Sequence, residues 1–189
     1  MKHPIARFFT VLGHPLILGT LYVVLMAKAS LPPKTALLFS LLVVGLIAIP
    51  ITVHNLLKLK RRAYTNFDVS DQKQRKGFYP FALGLFLVLL SVFYFLKFPI
   101  SVIYNTGNFV LMLVFMALLN FKIKASLHAA IAFYAGISIF SLSGLVGIIV
   151  LVLAMATTWS RWELKKHSQL ELLFGSTIGM LFGLISLNL

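Results

Sequence analysis

Residues 145–187 read LVGIIVLVLAMATTWSRWELKKHSQLELLFGSTIGMLFGLISL. Two apolar runs flank a charged segment, 160–171, which holds Arg161, Lys165, Lys166 and His167. It also holds Glu163 and Glu171, two of the four acidic residues in the whole chain. Each run approaches the length a helix needs to cross the ~30 Å hydrocarbon core of a bilayer. The stretch predicts two antiparallel membrane helices whose connection emerges at one membrane face.

The rest of the chain repeats this pattern. Of its 189 residues, 60% are hydrophobic and only 11% are charged, too few to cover a soluble domain. Seven helical segments are predicted, at 8–26, 36–57, 80–96, 100–121, 122–140, 145–163 and 170–187. Pro50 is expected to kink the second, and 105–108 to interrupt the fourth. The fold class is an all-α polytopic transmembrane helix bundle of six to seven helices, forming a single integral-membrane domain over 1–189. Lys2 and Arg7 before the first apolar run, with Ala27-Lys28-Ala29 after it, imitate a signal peptide. The run is too long for a signal core and carries His14 and Pro15, so it is read as a retained helix. With no cysteine, disulfides, thiol catalysis and zinc–thiolate sites are excluded.

Alternating helices sort the loops onto two sides. One side carries only Lys28, Lys34 and Lys97; the other carries the remaining 14 of the 17 basic residues and all four acids. The positive-inside rule makes the basic side cytoplasmic. In a membrane chain, a net charge of +13 points to anionic lipid headgroups or a phosphate-bearing substrate rather than to nucleic acid.

Hairpin geometry says which residues can meet. His128 and Ser160 lie equally far from residue 144, and Pro80 and Lys124 equally far from residue 102. Equal rise per residue therefore brings 67–80, 122–130 and 160–171 to one level on the basic face. His128 and Arg161 would sit just inside the membrane boundary, where ionisable groups are costly unless paired and so mark functional candidates. His167 and Glu171, four apart, can touch on one helical face. The carboxylate would fix the imidazole tautomer and sharpen the other ring nitrogen as a base or nucleophile. Arg161 offers a planar fork suited to phosphate oxygens, and His128 a proton for a leaving group. Glu163, His167 and Glu171 could also line one face around a metal, but Arg161, Lys165 and Lys166 crowd that face with positive charge.

The pattern SR-x5-H-x3-E at 160–171 resembles the third signature of the type 2 phosphatidic acid phosphatase superfamily, SR-x5-H-x3-D. ASLH at 125–128 is similar to its second signature, PSGH, and the 68–80 loop stands where the first, K-x6-RP, is expected. The resemblance covers 68–183, a phosphatase-like core, and is to a compact bacterial branch, which implies an inner-membrane location. It implies that His167 attacks phosphorus to form a phosphohistidine, that Glu171 orients His167, and that His128 protonates the leaving group. Arg161 and Ser126 would hold phosphate oxygens, with no metal or other cofactor. The first signature keeps Pro80 but has Tyr79 for Arg and Gln72 for Lys, so Arg75, Lys73 and Lys124 stand as substitute phosphate ligands. Leu127 replaces the glycine of the second signature. The function expected is hydrolysis of a lipid phosphate or diphosphate; the alternative is a non-catalytic binder or transporter of an anionic lipid on a degenerate phosphatase scaffold. Partners are the bilayer and a lipid phosphate or other phosphorylated substrate.

Gly175, Gly179 and Gly183, spaced by four, predict close helix packing. His14 is expected to make a polar contact between helices. Asp68 and Asp71 are expected to cap a loop helix or restrain nearby cations.

Overall fold

The computed structural model describes residues 3–189 and is all-helical, with no strand among the described residues; Lys2 lies outside them. The helices are α1 (Pro4–Leu12), α2 (Pro15–Ser30), α3 (Pro33–Val43), α4 (Ile49–Lys60), α5 (Gln72–Phe95), α6 (Ile100–Leu119), α7 (Leu127–Ser138), α8 (Gly144–Glu163) and α9 (Gln169–Ser186). Five spans are long and apolar enough to cross a membrane, the first being α3 and α4 together, and six if α1 and α2 count as one bent span. These spans mark a membrane protein.

Each of the seven predicted segments has a helical counterpart, but the boundaries moved for local reasons. The first segment breaks at Gly13-His14 and bends by 45°. Pro15 disfavours helical geometry at His14, which turns extended and caps α2 by accepting the Leu16 N–H on Nδ1. The second segment runs continuously through a widened π turn, Val44–Ala48, immediately before Pro50. α5 begins eight residues before Pro80, because the Asp71 carboxylate accepts the Gln74 N–H as its N-cap. α6 is not interrupted at 105–108. Asn108 donates to the Phe182 carbonyl, and Asn105 accepts from Ser186, so both tether α6 to α9.

The fifth segment is cut back most. Residues 122–126 are irregular, and the helix starts at Leu127 behind an N-cap at Ser126. The short α7 is central: nine of its twelve residues are buried, against α2, α8 and α9. A helix enclosed by protein need not reach across the hydrocarbon by itself. Its seam with α9 is the glycine stripe. A Cβ at Gly175 or Gly179 would collide with the carbonyl oxygens of Ser126 and Ala130, and one at Gly183 would crowd Ile137. Gly13 lets α1 approach α8 in the same way, against Thr157.

Candidate functional site

α8 ends at Glu163 and α9 starts at Gln169, so 160–171 is a helix–turn–helix and not one helical face. Glu163 turns away to pair with His3 at 2.7 Å, which leaves the Glu163–His167–Glu171 metal arrangement unassembled. The His167–Glu171 pair forms by a different route from the one the spacing suggested. Ser168 caps α9, and Glu171, its third residue, reaches back in a capping box to accept the Ser168 N–H at 3.1 Å. The same oxygen, Oε2, lies 2.9 Å from His167 Nδ1. A carboxylate only accepts, so the proton sits on Nδ1 and Nε2 carries the lone pair. Lys124 Nζ, 3.6 Å from Oε2, also donates to the Lys166 carbonyl and holds the turn.

His167 is buried, and burial, followed by the positive charges of Arg75, Arg161 and Lys124, pushes its pKa down to about 2. The imidazole is therefore neutral at physiological pH, with an unprotonated Nε2.

A second polar cluster is organised around Asp68. Arg161, fully buried near the end of α8, donates from Nη1 to Asp68 Oδ2 at 2.7 Å and reaches Ser70 Oγ at 3.5 Å. His14 Nε2 lies 3.3 Å from Asp68 Oδ1, and His128 Nε2 lies 3.9 Å from Oδ2, beyond hydrogen-bond reach. The rings of His14 and His128 meet edge to face at 5.3 Å. Burial opposes ionisation of Asp68, but the hydrogen bond from His14 and the fields of His128 and Arg161 overcome it, holding the carboxyl well below the usual carboxylate range.

His14, Asp68 and His128 place three ligand-type atoms within 4.8 Å of one another. The donor set fits a cation poorly. His14 Nδ1 already accepts the Leu16 N–H, so its Nε2 carries the proton that Asp68 receives, and Arg161 occupies the other carboxylate oxygen. The cluster reads instead as an anion held by nitrogen donors.

Not every expected ligand joins it. Arg75 is buried but spends its guanidinium on two backbone carbonyls, Nε on Val69 at 2.9 Å and Nη1 on Ala125 at 2.8 Å. Ser126 is buried and its hydroxyl caps α7 at Ala129. Both position the site, since Ser126 N also donates to the Glu171 carbonyl and ties α7 to α9. Lys73 is exposed on α5 and makes no polar contact with the cluster among the described residues. Asp68 and His14 were expected only as a restraint and an interhelical contact; here they are the hub. The Gly13-His14-Pro15 break was the available signal.

Three nitrogens are left buried and without a hydrogen-bond partner among the described residues: His128 Nε2, His167 Nε2 and Arg161 Nε. Unpaired buried polar atoms are costly and mark a place for a polar ligand. A cavity of about 490 Å³ reaches the Asp68 cluster through His14, Asp68 and His128. His14, Asp68, Arg75, Tyr79 and His128 line its polar end; Val23, Phe86, Leu113 and Ile131 line an apolar middle. Ser101, Asn105 and Ser186 lie at the opposite end.

No protein-family model, curated protein or solved structure matches this chain.

Proposed function

We propose that the protein is a membrane phosphohydrolase that removes the terminal phosphate from a lipid phosphate or diphosphate, through a phosphohistidine on His167. One observation carries the reading: His167 Nε2 is buried, unprotonated and unpartnered, while Nδ1 is braced by Glu171. That is the arrangement an imidazole nucleophile needs. His167 Nε2 attacks phosphorus as the bond to the leaving oxygen breaks, and His128, which takes up a proton as the phosphate dianion enters beside it, delivers that proton to the leaving oxygen. Glu171 stabilises the charge that develops on the ring. Water, deprotonated by His128, then cleaves the phosphorus–nitrogen bond and releases inorganic phosphate. Arg161 and Lys124 offer positive charge to the phosphoryl oxygens.

The cavity supports a lipid substrate: it joins a polar end, which carries His14, Asp68, Arg75 and His128, to an apolar slot within the range of small-ligand pockets. The 14-to-3 division of basic residues supports a cytoplasmic mouth. The deciding experiment is phosphate release by the purified protein over a panel of lipid phosphates and diphosphates. Release that disappears in His167→Ala supports hydrolysis at this site; release unchanged in that variant refutes it.

A second reading has its own observation. Arg75 and Ser126, two of the expected phosphate ligands, are committed to the fold. A non-catalytic anionic-lipid binder needs only Arg161 and the cavity. Lipid phosphate that binds and survives intact would select it.

A further inference from the structure

The carboxylate of Asp68 sits where the reading above seats a phosphate. It is the only anion against Arg161 among the described residues, and it is approached by two imidazoles. A carboxylate and two phosphate oxygens offer the same acceptors to a guanidinium. Yet the fit is incomplete. Asp68 engages Arg161 through one nitrogen, leaves Arg161 Nε unbonded and stands 3.9 Å from His128 Nε2. Arginine–carboxylate pairs are frequently bidentate, and this one is not.

The segment that delivers Asp68 is held under tension. Val69, the next residue, is buried at φ 48°, a left-handed conformation that a β-branched side chain rarely adopts. It is pinned there by Arg75, which donates to its carbonyl. Asn55 pins the other flank through the Phe67 carbonyl. Asp68 itself is the least enclosed member of the cluster: its side chain is 20% exposed, against 0% for Arg161 and 3% for His128, and it lines the cavity.

We propose that Asp68 is a built-in competitor for the phosphate seat, which a ligand must displace, and that it thereby selects phosphomonoesters and diphosphates over phosphodiesters. The inference rests on the reading of this cluster as a phosphate cradle. A phosphomonoester carries close to two negative charges at neutral pH and outbids a single carboxylate for Arg161; a phosphodiester carries one and does not. Displacement also offers oxygens to Arg161 Nε and His128 Nε2.

The test compares inorganic phosphate and dimethyl phosphate as ligands for the full chain in detergent, by calorimetric titration of the wild type and Asp68→Asn. The variant is expected to bind phosphate at least tenfold more tightly and to gain affinity for dimethyl phosphate. If it binds phosphate no more tightly than the wild type, Asp68 is a positioning residue and the proposal is overturned. Because Asp68→Asn can fail to fold around an uncompensated Arg161, a second measurement uses the wild type alone. Carbodiimide labelling of Asp68, read by peptide mass spectrometry, is expected to rise when phosphate is added. Protection or no change overturns the proposal. Neither arm needs turnover, so a protein that releases no phosphate but shows both effects would refute hydrolysis and leave the competitor standing.

Discussion

His167 Nδ1 and Glu171 Oε2 lie 2.9 Å apart because a helix cap and a candidate nucleophile share one oxygen. Glu171 satisfies the orphan N–H at the start of α9 and, in the same stroke, fixes the tautomer of the imidazole beside it. Lys124 and the Ser126–Glu171 backbone bond hold this corner to the start of α7. Fold and chemistry are therefore coupled at a single side chain.

The first prediction separates the two roles. His167→Ala should lower phosphate release to background, a loss of about 10³-fold or more. Glu171→Gln can still cap α9 but lacks the charge that stabilises a developing imidazolium, and should lose about 10²-fold. Steady-state phosphate release measures both. Circular dichroism should show Glu171→Gln still folded; equal activity in Glu171→Gln and the wild type would remove the carboxylate from the mechanism.

The second concerns acid. His167 has a folded pKa near 2 because burial, then Arg75, Arg161 and Lys124, disfavour its cation. Its unfolded value is about 6.5. Between those values the unfolded chain binds a proton that the folded chain refuses. The stability that His167 contributes is complete above about pH 6.5 and is lost progressively as pH falls toward 2. Asp68, also depressed, adds a loss that begins only near pH 4, where the unfolded carboxyl starts to protonate. Thermal unfolding in detergent from pH 7 to pH 5 should show a falling midpoint, and His167→Ala should flatten that fall. An unchanged slope in the variant would mean another group carries it.

The third concerns the buried ion pair. Arg161 is fully buried, and Asp68 is its only carboxylate among the described residues. Arg161→Met strands that carboxylate beside two imidazoles and should cost about 3 kcal/mol of stability, with loss of phosphate release. Arg161→Lys keeps the charge but loses the fork, and should fold better than Arg161→Met while binding inorganic phosphate at least tenfold more weakly than the wild type. Chemical unfolding and phosphate titration read the two effects separately.

Most of the helices were legible because their signals are local. Apolar runs gave seven segments, and the Gly175–Gly179–Gly183 spacing gave the α7–α9 seam. Cap-dependent boundaries were less legible: α5 starts within a polar stretch whose only mark is Asp71 three residues before Gln74. The His167–Glu171 pair was visible as a spacing, although a capping box and not a continuous helix creates it. Asp68 as hub was hidden, because its partners His14, His128 and Arg161 lie far away in sequence and two of them depend on breaks or turns that hydropathy does not register. Arg75 and Ser126 entered as phosphate ligands through the family resemblance; that Arg75 donates to two backbone carbonyls and Ser126 caps α7 was not legible in the signatures.

The glycine seam yields a fourth prediction. At Gly179 a methyl group would strike the Ala130 carbonyl oxygen, and backbone at the centre of the bundle cannot move aside as a flexible side chain would. Gly179→Ala should destabilise by about 1–3 kcal/mol despite alanine's better helix propensity. Gly84 faces open space, and Gly84→Ala should be neutral or mildly stabilising. Paired denaturation curves for the two variants check the contrast; similar midpoints would contradict the seam.

The last prediction tests whether the cavity holds a hydrocarbon chain. Val23 lines its apolar middle from α2, away from every residue of the polar cluster. Val23→Trp adds bulk to that space without touching His167, Glu171 or Arg161. If a lipid tail lies there, the variant should lose at least tenfold in kcat/KM for a long-chain lipid phosphate while hydrolysing a short, water-soluble phosphomonoester at nearly the wild-type rate. A mere packing defect would depress both substrates together and lower the unfolding temperature. Equal kcat/KM for the long-chain substrate in Val23→Trp and the wild type, with the tryptophan confirmed in place by its fluorescence, would put the tail outside the bundle, in the bilayer.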